Sequence, residues 1–239
     1  MGQYRDQGIV LRGYRLGEAD RIIVLATQDH GKVRAVAKGI RRTKSRIGAR
    51  LEPLSHVSML VWEGRNLDVV NQVEVLDSYP AIRASLDKLS AGAAIAEVAD
   101  RIFQEGTANP SLYSMLTKVI ATLDGNDSPI IVPAFFLKVL ACEGVGPVVD
   151  RCVACESPGP LVSFDPEEGG ALCRSCRRGR SLSPEVLDVL VRILTGGLAG
   201  VLAEDLGDSI VGDVRHLATE AMEYHLESRL RCMALLEKV

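Results

Sequence analysis

Aromatic residues are scarce in this sequence, which has one Trp, five Tyr and four Phe among 239 residues. Long apolar runs are missing as well. The longest candidate, residues 129–137, stops at Lys138 and falls well short of the ~20 apolar residues that a membrane span needs. The composition therefore predicts a globular protein with a core of Leu, Val, Ile and Ala that does not cross a membrane.

The motifs of common catalytic sites are also absent. The sequence has no GxxxxGK[ST] phosphate loop, no GxSxG elbow and no HExxH helix, and its four histidines are scattered. Glu18, Asp20 and Asp29 suggest an acidic nuclease site only weakly, because their places beside predicted strand ends favour turn-forming roles. We expect a protein that is not an enzyme.

Four of the six cysteines form two CxxC pairs. Cys152 and Cys155 are separated from Cys173 and Cys176 by 17 residues, a spacing typical of a structural zinc site with four sulfur ligands. Two disulfides or a redox pair are the alternatives. The opening residues contain no apolar signal segment, which favours a reducing compartment and hence zinc.

The first eighty residues alternate like short β-strands, at residues 8–14, 21–27, 32–38, 54–62 and 67–73. Five strands in so short a segment predict a small barrel. An OB-type barrel is favoured, although the pattern alone does not separate it from an SH3-like barrel.

Helical periodicity replaces the alternation after Pro80. Asn109 with Pro110, Ser128 with Pro129 and Ser183 with Pro184 are each typical of an N-cap followed by a first-turn proline. We predict an α+β multidomain protein with an OB-type β-barrel at residues 1–79, an α-helical domain at residues 80–148 and 181–239, and an inserted four-cysteine zinc finger at residues 149–180.

Positive charge is concentrated at the N-terminus. Residues 1–79 carry 13 Lys and Arg against nine Asp and Glu, and residues 38–50 carry six basic residues and no acidic one. Such a loop suits the phosphates of a nucleic-acid backbone. The candidate DNA-binding residues are Arg12, Arg15, Arg34, Lys38, Arg41, Arg42, Lys44, Arg46 and Arg50.

Two further observations bear on this prediction. The N-terminal module has only four aromatic residues, Tyr4, Tyr14, Trp62 and Tyr79, so we expect binding to be mostly electrostatic and independent of sequence. A second basic cluster lies in and after the second CxxC pair. It either contacts DNA or solvates the finger, and its members are Arg174, Arg177, Arg178 and Arg180.

Several short motifs, in this order and spacing, resemble the RecO family of recombination mediators. They cover the predicted barrel, the end of the helical body and the predicted finger. The motifs are Gly8-Ile-Val-Leu-Arg12, Gly17-Glu-Ala-Asp-Arg21, His30-Gly31-Lys32, Arg34-Ala-Val-Ala-Lys-Gly39 with Arg41 and Arg42, Val149-Asp-Arg-Cys152 through Cys155, and Phe164-Asp-Pro-Glu-Glu-Gly-Gly170 leading to Cys173 and Cys176.

The resemblance implies a non-catalytic DNA-repair protein that binds single- and double-stranded DNA and anneals complementary strands. With its partner RecR, such a protein helps RecA to replace single-stranded DNA-binding protein (SSB) on gapped DNA. Residues 38–50 match the family's DNA-binding loop, the four cysteines match its structural zinc ligands, and the helical body would dock the SSB tail. The implied location is the cytoplasm, in association with the nucleoid.

Two other classes remain open at this point. One is a zinc-containing RNA-binding or transcription factor, which would prefer RNA or a particular sequence. The other is a protein-interaction scaffold, which would have no salt-dependent affinity for DNA.

Overall fold

The computed structural model describes residues 2–41 and 47–233. Their contacts group them into two compact units. The first contains the chain up to Asn126 together with the segment that begins at Arg231, and the second is Asp127–Leu230. No helix in these described ranges is both long enough and apolar enough to cross a membrane.

A closed five-stranded barrel forms the N-terminal part of the first unit. Its strands are β1 (Gln3–Leu16), β2 (Asp20–Thr27), β3 (Gly31–Ala37), β4 (His56–Trp62) and β5 (Asp68–Asp77). They follow the order β1-β2-β3-β5-β4, with a parallel β3–β5 pair, and β1 also pairs with β4. This arrangement confirms the predicted OB-type barrel.

The barrel interior is filled by alternate residues of every strand, as the period of two requires. Val10, Leu25, Ala35, Val57 and Val61 are fully buried there. Because β1 pairs on both sides, it bends at a β-bulge between Val10 and Arg12. The barrel core is thus aliphatic, as the composition predicts.

The β2–β3 turn fits closely against the segment after the second helix. Gly31 has φ +66°, and Lys32 donates its backbone N–H to the Gln104 carbonyl over 2.8 Å. A Cβ atom on Gly31 would lie 2.2 Å from the Thr107 carbonyl oxygen. Glycine is therefore required here for two reasons, its left-handed backbone and the missing side chain.

Three helices follow the barrel in the described residues of the first unit: α1 (Pro80–Ala84), α2 (Leu86–Ile102) and α3 (Pro110–Gly125). The Ser85 hydroxyl accepts from the Lys88 backbone N–H, and the Asn109 carboxamide oxygen accepts from that of Leu112. The start of α3 at Asn109 and Pro110 confirms the prediction from sequence.

Glu97 on α2 holds the segment that begins at Arg231. Its carboxylate accepts the backbone N–H groups of Arg231 and Cys232, over 3.0 and 2.8 Å, and pairs with Arg101. Burial works to raise the pKa of Glu97, but these hydrogen bonds outweigh it and lower that pKa.

The second unit contains four helices in its described residues: α4 (Ile131–Cys142), α5 (Pro184–Thr195), α6 (Leu198–Ala203) and α7 (Asp208–His225). α4 is buried almost all round and packs against α5 and α7, as its apolar sequence predicts. Its start differs from the prediction, because Pro129 and Ile130 form a turn before the helix begins at Ile131.

A small sheet lies between α4 and α5 in the chain. Its strands are β6 (Leu161–Asp165), β7 (Gly170–Cys173) and β8 (Arg180–Ser181), in the order β7-β6-β8. The fold class of barrel, helical body and inserted four-cysteine module is confirmed. The contact units place α1–α3 with the barrel. The domain boundaries at residues 79, 148 and 180 stay predictions.

Gly31 provides a test of the close contact at the β2–β3 turn. We expect Gly31→Ala to lower the free energy of unfolding by about 3 kcal/mol or more, since strain at positive φ adds to a backbone clash. Gly17→Ala is the matched control, because Gly17 has φ +57° and nothing within 4 Å of its Cβ position. It should cost about 1 kcal/mol. Urea unfolding measures both, and equal losses would show that the contact is unimportant.

Candidate metal centre and nucleic-acid interface

The four predicted zinc ligands come together in the small sheet. Cys173 ends β7, Cys176 follows it in a turn, and Cys152 and Cys155 lie in the loop before β6. Their sulfur atoms all lie within 4.8 Å of one another. Each of the six cysteines, all of them in the described ranges, is free.

The sulfur geometry fits a tetrahedral metal ion. Zinc–sulfur bonds of about 2.3 Å give a tetrahedron with edges of about 3.8 Å. The Cys155 and Cys173 sulfurs are 3.7 Å apart, far beyond a disulfide bond and close to that edge. Four sulfurs complete the coordination shell, so such a site supports a fold and offers no open position for catalysis.

Backbone hydrogen bonds build the site around these sulfurs. Val153 donates its N–H to the Ala171 carbonyl over 2.9 Å, and Glu156 donates to the Cys152 carbonyl over 2.8 Å. The first bond joins the loop before β6 to strand β7, and the second closes the turn that carries Cys152 and Cys155. The two CxxC turns therefore face each other whatever their side chains bind.

The thiols compete for negative charge. Backbone N–H groups, with that of Cys173 foremost, lower the pKa of Cys152 to about 6 against the opposing effect of burial. The sulfurs of Cys155 and Cys173 raise the pKa of Cys176 to about 12. The Cys152 thiol therefore ionises readily, while ionisation of a second thiol beside it is disfavoured. A cation bound between the sulfurs would stabilise all the thiolates together.

The predicted DNA-binding residues that fall within the described ranges lie on the barrel strands or in the connection between β3 and β4. Arg42, Lys44 and Arg46 lie outside the described residues. Those described are Arg12 and Arg15 on β1, Arg34 on β3, Lys38 and Arg41 after β3, and Arg50 in a short 3₁₀ helix at Gly48–Leu51.

Four of these six cations already have partners. Arg12 Nε lies 2.7 Å from an oxygen of Asp100 on α2, and Arg34 lies 3.9 Å from Glu105. The other two donate to backbone carbonyls: Arg41 to that of Glu18 over 2.9 Å and Arg50 to that of Val73 over 2.9 Å.

Arg15 and Lys38 are different. Both side chains are exposed, and neither has a hydrogen-bond or ion-pair partner among the described residues. Arg15 pairs in register with Arg21 of β2, and Arg21 pairs with Ala37, the neighbour of Lys38 in the chain. The two free cations are thus at the same end of the β1-β2-β3 sheet.

Arg21 lies beside Arg15 but was not among the predicted residues. The turn at Gly17 places residues 15 and 21 opposite each other, which the short β1–β2 connection could have indicated, and the Arg21 side chain lies 3.4 Å from Glu52. Asp100 and Glu105 were also missed, because their pairing with β1 and β3 spans most of the first unit and leaves no local pattern.

Two of the four arginines in the second basic cluster pair with acidic residues of the second unit. Arg178 pairs with Glu168 and lies 4.0 Å from Asp165, while Arg180 lies 3.7 Å from Glu220 and also contacts His216. The remaining two members are Arg177, which donates to the Ser181 hydroxyl over 3.0 Å, and the exposed Arg174. These acids favour the solvation role over a second DNA contact.

Two family models cover nearly the whole chain. Residues 1–79 match "Recombination protein O N terminal", and residues 83–233 match "Recombination protein O C terminal". The first match spans the barrel with its free cations, and the second spans the helices and the four-cysteine module. Both matches agree with the resemblance carried by the short motifs. The chain therefore belongs to the RecO family of recombination mediators in DNA repair.

Proposed function

We propose that this protein binds single- and double-stranded DNA through its barrel, anneals complementary strands, and with RecR helps to load RecA onto single-stranded DNA coated by SSB. It acts by binding and catalyses no reaction. The SSB tail would dock on the helical body, and the protein would work in the cytoplasm at the nucleoid. Membership of the RecO family supports each of these assignments.

One observation supports the DNA-binding site most directly: Arg15 and Lys38 are exposed cations without partners in the described part of the chain. Exposed cations bind phosphates and release counterions, whereas cations already paired with carboxylates must first give up that pairing. We therefore assign the main phosphate contacts to Arg15 and Lys38, together with the predicted residues Arg42, Lys44 and Arg46.

Annealing follows from the same charges. Two DNA strands repel each other, and a cationic surface that holds one strand lowers the repulsion felt by the second. A contact made mainly to phosphates leaves the base edges free to pair. The barrel would therefore promote pairing without recognising sequence.

We also propose that the metal is a structural Zn²⁺ held by Cys152, Cys155, Cys173 and Cys176. The compact set of four free sulfurs supports it. When bound, the ion supplies only a four-way crosslink between the two CxxC turns. The module would depend on this crosslink, because it has few large buried apolar side chains of its own besides Phe164, Leu161 and Leu172.

The salt dependence of binding tests the assigned phosphate contacts. Arg15→Gln with Lys38→Gln should weaken binding to an oligo(dT) strand and reduce the slope of log Kobs against log salt by about 1.4, from about 0.7 per lost phosphate contact. The control, Lys118→Gln with Lys138→Gln, removes the same charge from helices α3 and α4, away from the barrel strands. Fluorescence anisotropy at several salt concentrations measures the slope. Equal slopes in wild type and both variants would refute the assignment of Arg15 and Lys38.

Zinc content and affinity test the proposed metal site. The purified protein should contain one zinc per chain, and Cys155→Ser should lower zinc affinity by orders of magnitude, since structural sites bind with about 10–16 kcal/mol. Cys142→Ser is the matched control, because Cys142 is exposed like Cys155 but lies outside the cluster. Competition against a chelator with a metal-sensitive dye measures the affinity. Unchanged affinity in Cys155→Ser would contradict a site with four sulfur ligands.

A further inference from the structure

A continuous row of apolar side chains crosses all five strands on the outside of the barrel. The strand registers connect its members one by one: Tyr14 pairs with Ile22, Ile22 with Val36, Val36 with Val69, and Val69 with Trp62. We call this set the apolar row; its members are Tyr14, Ile22, Val36, Val69 and Trp62.

The row faces outward. Its chain neighbours Ile23, Ala35, Val61 and Val70 are buried in the barrel core, so the alternation of each strand puts the row on the opposite face. Tyr14 is 41 % exposed and Trp62 47 %, and the three aliphatic members are partly exposed. An outer barrel face is normally polar, which makes an apolar row across five strands unusual.

Cations flank this row. Arg12 on β1 and Arg34 on β3 lie two positions from row members, hence on the same face, where Asp100 and Glu105 pair with them. The exposed Lys38 directly follows β3 and has no partner among the described residues. The Arg12 guanidinium lies 4.7 Å from the centre of the Tyr14 ring and covers one of its faces. Asp20 is the acid beside the row on β2, and its carboxylate accepts the Gly39 N–H.

This combination fits a single-stranded nucleic acid better than a protein. Five side chains form too small a patch for a stable protein interface, which takes about 20–30 residues a side. A second copy of the chain would bring the same cations face to face. A single strand instead offers flat bases for the row and phosphates for the exposed Lys38 beside it.

We infer that the apolar row contacts the unpaired bases of a single strand, with Tyr14 and Trp62 stacking on bases at its two ends. This inference rests on the proposed function, because it assumes that the barrel is the DNA-binding module. Four strand spacings of about 4.8 Å make the row about 19 Å long, enough for several nucleotides. A duplex keeps its bases stacked inside, so the row would separate single-stranded from double-stranded binding.

The middle of the row suits an annealing protein. Ile22, Val36 and Val69 offer no aromatic face, so they contact bases without stacking on them. The bases they hold remain easy for an incoming complementary strand to remove. The two aromatic ends would keep the strand in place while pairing begins between them.

Trp62 is the sole tryptophan of the chain and reports on the row directly. We expect oligo(dT) to quench or shift its fluorescence. An abasic oligonucleotide of equal length, which keeps the phosphates and lacks the bases, should bind without that change, and so should a duplex. Binding of all three probes with no change in Trp62 fluorescence for any of them would overturn the inference.

Variants give the second readout. Tyr14→Ala with Trp62→Ala should weaken oligo(dT) binding about tenfold or more and leave duplex affinity and salt slope unchanged, since stacking contributes without counterion release. Tyr224→Ala, which removes an exposed tyrosine from the second unit, is the matched control and should have no effect. Unchanged duplex binding also shows that the variant is folded.

The outcomes separate the two proposals. If the wild type binds neither oligo(dT) nor duplex, the proposed function itself fails. If both bind and the double variant binds oligo(dT) with full affinity, the apolar row is not a base-contacting site. If the variant instead loses a self-association that the wild type shows in sedimentation, the row joins copies of the chain and the inference is wrong.

Discussion

Closure of the barrel by β1 is the constraint on which the N-terminal part of the structure depends. Residues 3–9 of β1 pair with β4, residues 8–16 pair with β2, and the bulge between Val10 and Arg12 lets one strand serve both. A slip of one residue at this bulge would exchange the inner and outer faces of the strand. It would bury Arg12 and Tyr14 and would expose core residues.

The electrostatic character of the barrel is set by pairing more than by the number of charges. The N-terminal residues carry an excess of positive charge, yet Asp100 and Glu105 from the region of α2 already compensate Arg12 and Arg34. Lys32 also bonds to the Asp100 backbone carbonyl and lies 3.8 Å from its carboxylate. These contacts tie the helix to the barrel. Arg15 on β1 and Lys38 directly after β3, which have no partner among the described residues, remain available to a polyanion.

Local sequence patterns predicted the parts of the structure that are local. Alternation predicts the barrel strands, an N-cap followed by proline predicts the starts of α3 and α5, and the two CxxC pairs predict the sulfur cluster. The apolar row could be predicted only in part from the sequence. The short β1–β2 and β2–β3 turns place Tyr14, Ile22 and Val36 in line, but Val69 and Trp62 join them only through the β3–β5 pairing.

Other features depend on contacts between distant parts of the chain. Nothing near Glu97 in the sequence indicates that its carboxylate accepts two backbone N–H groups at residues 231 and 232. The sequence alone also does not distinguish Tyr4 and Tyr79 from Tyr14 and Trp62 as aromatic residues that could stack on a base. Tyr79 is buried, and Tyr4 packs against the barrel core with its hydroxyl bonded to Asp68, so neither is available to a base.

The most direct test of the account is strand annealing on coated DNA. Two complementary labelled oligonucleotides, each covered by the cognate SSB, are mixed with zinc-loaded wild-type protein or with Arg15→Gln/Lys38→Gln, and duplex formation is followed by energy transfer. The account predicts rapid annealing by the wild type and a clear loss in the variant. Failure of the folded, zinc-loaded wild type to anneal the strands, or full annealing by the variant, would contradict it.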